Sequence, residues 1–236
     1  MAKQEKTFRP GRHLRKGVLP GLVLAFGFST LALVASSADL SALIERAEKG
    51  EGEAQVILAG KYRKGEGLSK SEAKAATWYR KAAEQGVVEA QSAIGQMYQN
   101  GEGVPKDDVE AAKWYRKAAE QGAVDAQSSL GHMYRKGVGV PKDYTQAAKW
   151  YRKAAEQDDA EAQTNLGLLQ ANGQGVPRDY GKAVEWYRKA AEQGDAQAQH
   201  GLGVMYHNGF GVERDDREAR KWFRKAAEQG HYGKPR

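Results

Sequence analysis

The spacing of the tryptophans constrains the fold of this chain most strongly. All five of them stand 36 residues apart, at Trp78, Trp114, Trp150, Trp186 and Trp222. A fixed period of this length indicates a solenoid, in which each unit is too small to bury its own apolar face and packs on its neighbours. We therefore do not expect the 236 residues to form the one or two globular domains that their number alone would suggest.

Each unit of this period is predicted to contain two helices. In residues 87–122, Ala90 and Ile94 begin an apolar face at helical spacing. A glycine-rich turn and Pro105 then interrupt the helix. Asp107, followed by Glu110 at the third position, forms the pattern of a capping box for a second helix. The unit therefore indicates a pair of helices joined by a short turn.

The period also predicts the boundaries along the chain. A targeting segment spans 1–38, a capping half-repeat spans 39–50, and a tail that we expect to be disordered spans 231–236. Five full repeats lie between them, called the first to fifth repeats below: 51–86, 87–122, 123–158, 159–194 and 195–230. Arg220 replaces a residue that is alanine or valine in the earlier copies, which predicts that no sixth repeat packs on the fifth.

The first 38 residues carry the pattern of an export signal. Six basic residues precede an uncharged apolar run over 18–35, which would measure about 27 Å as a helix against a bilayer core of about 30 Å. Ser36 and Ala38 occupy the −3 and −1 positions of a plausible cleavage site. A cleaved signal peptide is favoured, with an uncleaved anchor and a buried helix of a cytosolic protein as alternatives. A cleaved signal peptide would place the repeats in the periplasm or outside the cell. An uncleaved anchor would hold the repeats on the outer side of the inner membrane, with membrane contact only through residues 17–35.

Composition excludes several classes of function. Six basic residues and Glu5 give the first 38 residues a net charge of +5, which leaves +2 of the formal +7 for residues 39–236. Because the repeats are therefore nearly neutral, no nucleic-acid partner is expected. The absence of cysteine excludes disulfides, thiolate metal sites and thiol catalysis. His200 and His207 are seven residues apart, a spacing that does not suit a shared metal ion. The recurrent Gly-x-Gly pairs follow helices and are interpreted as helix-closing turns. We predict no catalytic, cofactor or metal residues.

The repeated residues also carry a family resemblance. The pattern Ala-Gln-x3-Gly-x2-Tyr-x2-Gly-x-Gly-Val-Pro-x-Asp-x3-Ala-x2-Trp-Tyr-x-Lys-Ala-Ala-Glu-Gln-Gly begins at Ala90 and again at Ala126, with small departures. It resembles the Sel-1-like repeat, a relative of the tetratricopeptide repeat. The resemblance implies an all-α fold, a right-handed α/α superhelical solenoid of antiparallel helix pairs. It also implies that the first helix of each repeat lines a concave face and that the protein is an interaction scaffold.

Specificity is expected where the copies disagree on the first helices. Three columns of such positions are candidates for binding a partner: Ser92, Ser128, Thr164 and His200; Gln96, His132, Leu168 and Val204; and Gln99, Arg135, Ala171 and His207. Drift on a solvated surface is the alternative interpretation. The recurrent residues, namely the five tryptophans and Gly95, Gly131, Gly167 and Gly203, are predicted to be structural, although the first repeat has Ala59 at the glycine position.

The favoured function is a non-enzymatic scaffold of the bacterial cell envelope that binds a peptide or protein in the concave groove. One alternative is an envelope hydrolase or β-lactam-binding protein, as in cysteine-rich relatives of the family. Those relatives carry cysteine pairs that this chain lacks. Another alternative is a cytosolic signalling adaptor. The sequence leaves the oligomeric state open.

Overall fold

The computed structural model describes residues 39–230, and all regular structure within that range is helical. Helix α1 covers residues 39–48. Ten further helices follow: α2 (Gly52–Lys64), α3 (Glu72–Glu84), α4 (Val88–Asn100), α5 (Asp108–Glu120), α6 (Val124–Lys136), α7 (Tyr144–Ala155), α8 (Ala160–Asn172), α9 (Tyr180–Glu192), α10 (Ala196–Asn208) and α11 (Asp216–Glu228). These ten helices lie in one compact unit of the chain. The predicted targeting segment and tail lie outside the described residues.

Each repeat consists of one even-numbered and one odd-numbered helix, and local chemistry sets where they end. The first helices stop at a glycine in the left-handed conformation, such as Gly101 with φ 75°. The second helices begin at a side-chain cap, where Asp107 accepts the backbone N–H groups of Val109 and Glu110 at 3.0 and 2.9 Å. Only half of the predicted capping box forms, because the backbone N–H of Asp107, which the Glu110 carboxylate would accept, donates instead to the carbonyl of Tyr98 at 2.9 Å.

The core lies between neighbouring repeats. In the first two repeats it joins Tyr79 of α3, Ile94 and Met97 of α4, and Trp114 of α5 in one buried cluster. Because helices of both repeats contribute to this cluster, neither repeat completes its core alone. The all-α solenoid of helix pairs predicted from the sequence is therefore confirmed.

The tryptophans of the second helices combine packing with a charged cover. Trp114, Trp150 and Trp222 are 6, 5 and 8% exposed, whereas Trp78 and Trp186 are half-buried. A lysine three residues further along lies over each ring, with Nζ 4.1–4.7 Å from the centroid. Each indole therefore contacts the inter-repeat core on one side and a solvated ammonium group on the other.

The second glycine of each Gly-x-Gly pair controls the approach of neighbouring repeats. A Cβ atom on Gly139 would overlap the carbonyl group of Asp108, in the first turn of the preceding second helix. The equivalent glycines Gly103, Gly175 and Gly211 face the same part of their preceding repeats. The prediction of a helix-closing turn therefore explains only the first glycine of each pair.

A buried glutamine links three helices in every repeat, and the sequence analysis did not single it out. Gln91 of α4 donates to the carbonyl of Ala83 in the preceding second helix at 3.2 Å. Its own carbonyl oxygen accepts from Gln121, which follows the second helix of the same repeat, at 2.8 Å. The same arrangement recurs at Gln55, Gln127, Gln163 and Gln199. Both polar ends of a buried amide are thus satisfied, which fixes the stacking register of the helices.

Candidate functional site

The first helices and the tyrosines behind them form a groove, called here the first-helix groove. In the first three repeats it encloses about 630 Å³. Side chains of α2, α4 and α6 line it, including Arg63, Glu89, Gln96 and Asp125, and Tyr79 and Tyr115 of the second helices contribute to its lining. A groove of this size, with both charges and aromatic groups, can bind a short polypeptide segment.

Glycines on the first helices allow the tyrosines to pack closely against them. A Cβ atom on Gly95 would lie 3.0 Å from the ring of Tyr115, and one on Gly131 would lie 2.6 Å from that of Tyr151. The tyrosine rings therefore rest on the helix backbone. Gly167 against Tyr187 and Gly203 against Phe223 repeat the contact. The predicted structural glycines thus have a defined steric role at the floor of the groove.

Most tyrosine hydroxyls of this floor have partners within the protein. The Tyr115 hydroxyl donates to Gln99 Oε1 at 3.0 Å, and Arg135 Nε donates to the Tyr151 hydroxyl at 3.3 Å. Burial raises the pKa of both tyrosines to about 12. The candidate residues Gln99 and Arg135 therefore use polar groups to hold the tyrosines at the floor of the groove.

The first candidate column requires a correction. Ser92, Ser128 and Thr164 are 8, 6 and 1% exposed, so they do not form the open binding surface expected from the sequence. Their hydroxyls lie 3.4, 3.3 and 3.0 Å from a carboxylate oxygen at the start of the next first helix, on Asp125, Asp159 and Asp195 respectively. They connect successive repeats, although Ser92 also touches the groove. His200, the fourth member, is half-buried, with its ring 5.2 Å from that of Phe223.

The second column remains accessible and changes chemistry along the solenoid. Gln96 is exposed, and Leu168 and Val204 are half-buried. His132 Nε2 lies 2.8 Å from Glu161 Oε1 in the next repeat, and this hydrogen bond lowers the pKa of Glu161. The groove therefore offers an amide, then an imidazole–carboxylate pair, then two aliphatic side chains.

The end of the third column faces a local charge cluster. His207 Nδ1 lies 2.9 Å from Asp216 Oδ1, while the other oxygen of Asp216 is 3.0 Å from Arg214. Hydrogen bonds from Arg214 and then from His207 lower the pKa of Asp216. Residue 223 is phenylalanine and has no hydroxyl for His207 to contact, unlike the tyrosines of earlier repeats.

The groove shows no arrangement typical of a metal centre. Between residues 39 and 230, no group of three or more histidine, aspartate or glutamate side chains is placed to hold an ion. Over the same range, none of the helices combines the length and apolar character needed to cross a bilayer. The apolar run over 18–35 lies outside this range.

A stack of helix pairs with cores shared between neighbours defines an α-solenoid, and comparison with known proteins identifies which kind. The family model described as Sel1 repeat matches residues 52–87, 88–122, 124–159, 160–195 and 196–231. The chain belongs to the Sel1 repeat family, as the sequence resemblance predicted. Members of this family are generally protein-interaction scaffolds.

Two solved structures show the likeness in detail. A protective antigen of uropathogenic Escherichia coli, c5321, shares 41% identity with a TM-score of 0.77 over 81% of this chain. This chain spans 41% of that protein. A Sel1 repeat protein from Oxalobacter formigenes shares 36% identity with a TM-score of 0.77, covering 86% of this chain and 85% of its own length. Comparison with curated proteins gave no match.

Proposed function

We propose that this protein is a non-enzymatic scaffold that binds a polypeptide segment in the first-helix groove. One observation carries the proposal: the residues that hold the repeats together are constant, whereas the accessible groove positions differ from copy to copy. Trp114, Gly95 and Gln91 recur in nearly every repeat, while the position of Gln96 becomes His132 and then Leu168. A surface of varied side chains on a constant frame suits recognition of one partner sequence.

The groove also has the chemistry that a peptide requires. Arg63, Glu89 and Asp125 offer both charges in the first three repeats, and Gln96 offers an exposed amide. These groups can form directed hydrogen bonds with a polypeptide backbone or with polar side chains, while the tyrosine floor supplies apolar contact.

The proposed location is the bacterial envelope, with residues 1–38 carrying the repeats out of the cytoplasm. The basic flank, the apolar run over 18–35 and the small residues before Asp39 support this proposal. Mass spectrometry of the intact protein from a periplasmic fraction tests it. Loss of residues 1–38 supports export with cleavage, and recovery of the complete chain from the cytosol alone contradicts it.

Site-specific photo-crosslinking tests the binding surface. A photoreactive phenylalanine analogue replaces Gln96 in the groove or, as a matched control, the exposed Glu192 near the end of α9. We expect one discrete protein adduct in intact envelopes from position 96 and none from position 192. Identical adducts from both positions, or none from the groove, would refute groove binding. Turnover of a chromogenic lactam by the purified chain would refute the non-enzymatic assignment.

A further inference from the structure

The last helix of the array, α11, has one face that no other helix covers among residues 39–230. In each earlier full repeat, the first helix of the next repeat packs on the second helix. A small residue of the second helix is buried at this contact, at 1–4% exposure: Ala76, Ala112, Ala148 and Val184. The equivalent residue of α11 is Arg220, which is exposed. This face of α11, called here the terminal face, is therefore open and charged.

The terminal face leaves uncovered several groups that join repeats in the interior. Phe223 and Ala227 are half-buried, whereas Tyr115 and Ala119, at the equivalent positions of α5, are 4 and 1% exposed. The carbonyl of Ala119 accepts a hydrogen bond from Gln127 of the next repeat at 3.1 Å. No side chain among residues 39–230 donates to the carbonyl of Ala227. The face therefore presents apolar surface and an acceptor by which the interior repeats hold a further helix.

The arginines of the terminal face also lack the partners that the interior provides. Arg80, Arg116 and Arg188 each donate to a tyrosine hydroxyl on the next first helix, at 2.6, 2.6 and 2.9 Å. Arg224 occupies the equivalent position of α11 and is exposed. Within residues 39–230, neither Arg224 nor Arg220 has a side-chain hydrogen bond or an ion pair. Both guanidinium groups are therefore available to a binding partner.

The charge of this face is strongly one-sided. A trough of about 620 Å³ runs along it, lined by five basic side chains against the acidic Glu218 and Glu228. Lys221 is already paired with Glu218 at 3.2 Å. The trough carries a net +3, more than the +2 of residues 39–236 as a whole. Such a field attracts an anionic partner, and guanidinium groups pair well with carboxylates.

We propose that the terminal face binds an acidic helix of a partner protein. The helix lies where the first helix of a following repeat would lie, because the array packs a helix on this face of α3, α5, α7 and α9. Its carboxylates pair with Arg220 and Arg224, and an apolar side chain contacts Phe223. A polar side chain of the same helix donates to the carbonyl of Ala227, as Gln127 does to that of Ala119.

The chain itself does not supply such a helix. Helix α2, the first helix at the opposite end of the array, has three basic residues in its last turn and one acidic residue, Glu53, in its first. The sequence after Gly230 contains Lys234 and Arg236 and no acidic residue. Both segments would meet like charges on the terminal face, so the complementary occupant is a different protein.

A phage-displayed library of a small helical protein with one randomised helix is the probe, selected on the full-length chain. The randomised helix has 13 residues, the length of α4. A folded scaffold carries it because an isolated helix of this length is marginally stable in water. We expect enriched helices to share acidic residues three or four positions apart on one face, next to an apolar residue.

Fluorescence anisotropy with one purified, labelled enriched helix then tests the arginines. Arg224→Glu should weaken binding about tenfold or more, because attraction becomes repulsion. Arg220→Ala restores the residue type of the interior repeats and should weaken binding about fivefold through loss of one charge pair. Arg152→Glu is the matched control: it makes the same change at the equivalent, exposed position of α7, on which α8 already packs, and should leave the affinity unchanged. The melting temperatures should stay close to that of the wild type, since all three side chains are exposed.

Enriched helices without acidic residues, or equal weakening by Arg224→Glu and Arg152→Glu, would overturn the assignment. Failure to enrich any helix would also overturn it. Arginine-dependent binding to phosphatidylglycerol vesicles, with no helix enriched, would make the terminal face a lipid-binding surface instead. The crosslink from position 96 tests the groove separately: an adduct that persists in the Arg224→Glu chain would preserve groove binding whatever the outcome at α11.

Discussion

Replacement of Asp158 by glycine is expected to stabilise the protein. Among residues 39–230, Asp158 is the one non-glycine residue with positive φ, at 65°. The same position after the other second helices is glycine, including Gly122 and Gly194 with φ 99°. The left-handed conformation costs an L-residue roughly 1–2 kcal/mol, and glycine avoids this steric cost.

Two smaller terms oppose the gain. Glycine loses more conformational entropy on folding, roughly 0.5–1 kcal/mol. The substitution also removes the contact between Asp158 Oδ1 and Gln163 Nε2, which is long at 3.5 Å and contributes little. The carboxylate lies between the end of α7 and the start of α8, so its interactions with the two helix dipoles oppose each other. The expected net gain for Asp158→Gly is about 0.5–1 kcal/mol.

Chemical denaturation and calorimetry measure this change. For a chain of this size the melting temperature should rise by about 1–3 °C. Gly122→Asp is the converse variant, at a position where a Cβ atom meets nothing within 4 Å, and should lose a similar amount. A neutral or destabilising effect of Asp158→Gly, together with a neutral effect of Gly122→Asp, would refute the conformational explanation.

Three further predictions concern packing and pH. Trp150→Ala should destabilise the fold by about 3 kcal/mol or more, because this 5% exposed indole fills the inter-repeat core; a loss below about 1 kcal/mol in urea denaturation would contradict that role. Gly139→Ala should lose about 2 kcal/mol or more through overlap with Asp108, whereas Gly122→Ala, at a position that also has positive φ but open space, should lose about 1 kcal/mol. Burial raises the pKa of Tyr187 to about 12, so the stabilisation by its neutral phenol is complete below pH 10 and is lost as the pH rises to about 12. The unfolding free energy of Tyr187→Phe should therefore fall less over that range than that of the wild type in alkaline denaturation. An equal fall would contradict the burial of the phenol.

The sequence could select candidate positions but could not place them, and particular residues show the reason. Leu168 and Val204 were selected because they are apolar where other copies are polar, a difference that needs no coordinates. Ser128 is buried against the next repeat, which the sequence did not show, because a serine on a first helix is equally compatible with an open groove and with a contact to the next repeat. The choice depends on the rotation of the helix about its axis, which tertiary packing sets.

The sequence by itself determined the repeat length, the helix pairs and their ends, because these depend on local chemistry. Asp107 satisfies N–H groups two and three residues away, and Gly101 supplies positive φ at its own position. Tertiary structure alone decided which variable positions reach the groove and which hydroxyls lack a partner. Tyr115 meets Gln99 16 residues earlier, so only the packed helix pair shows that Ala171 leaves Tyr187 without the same contact.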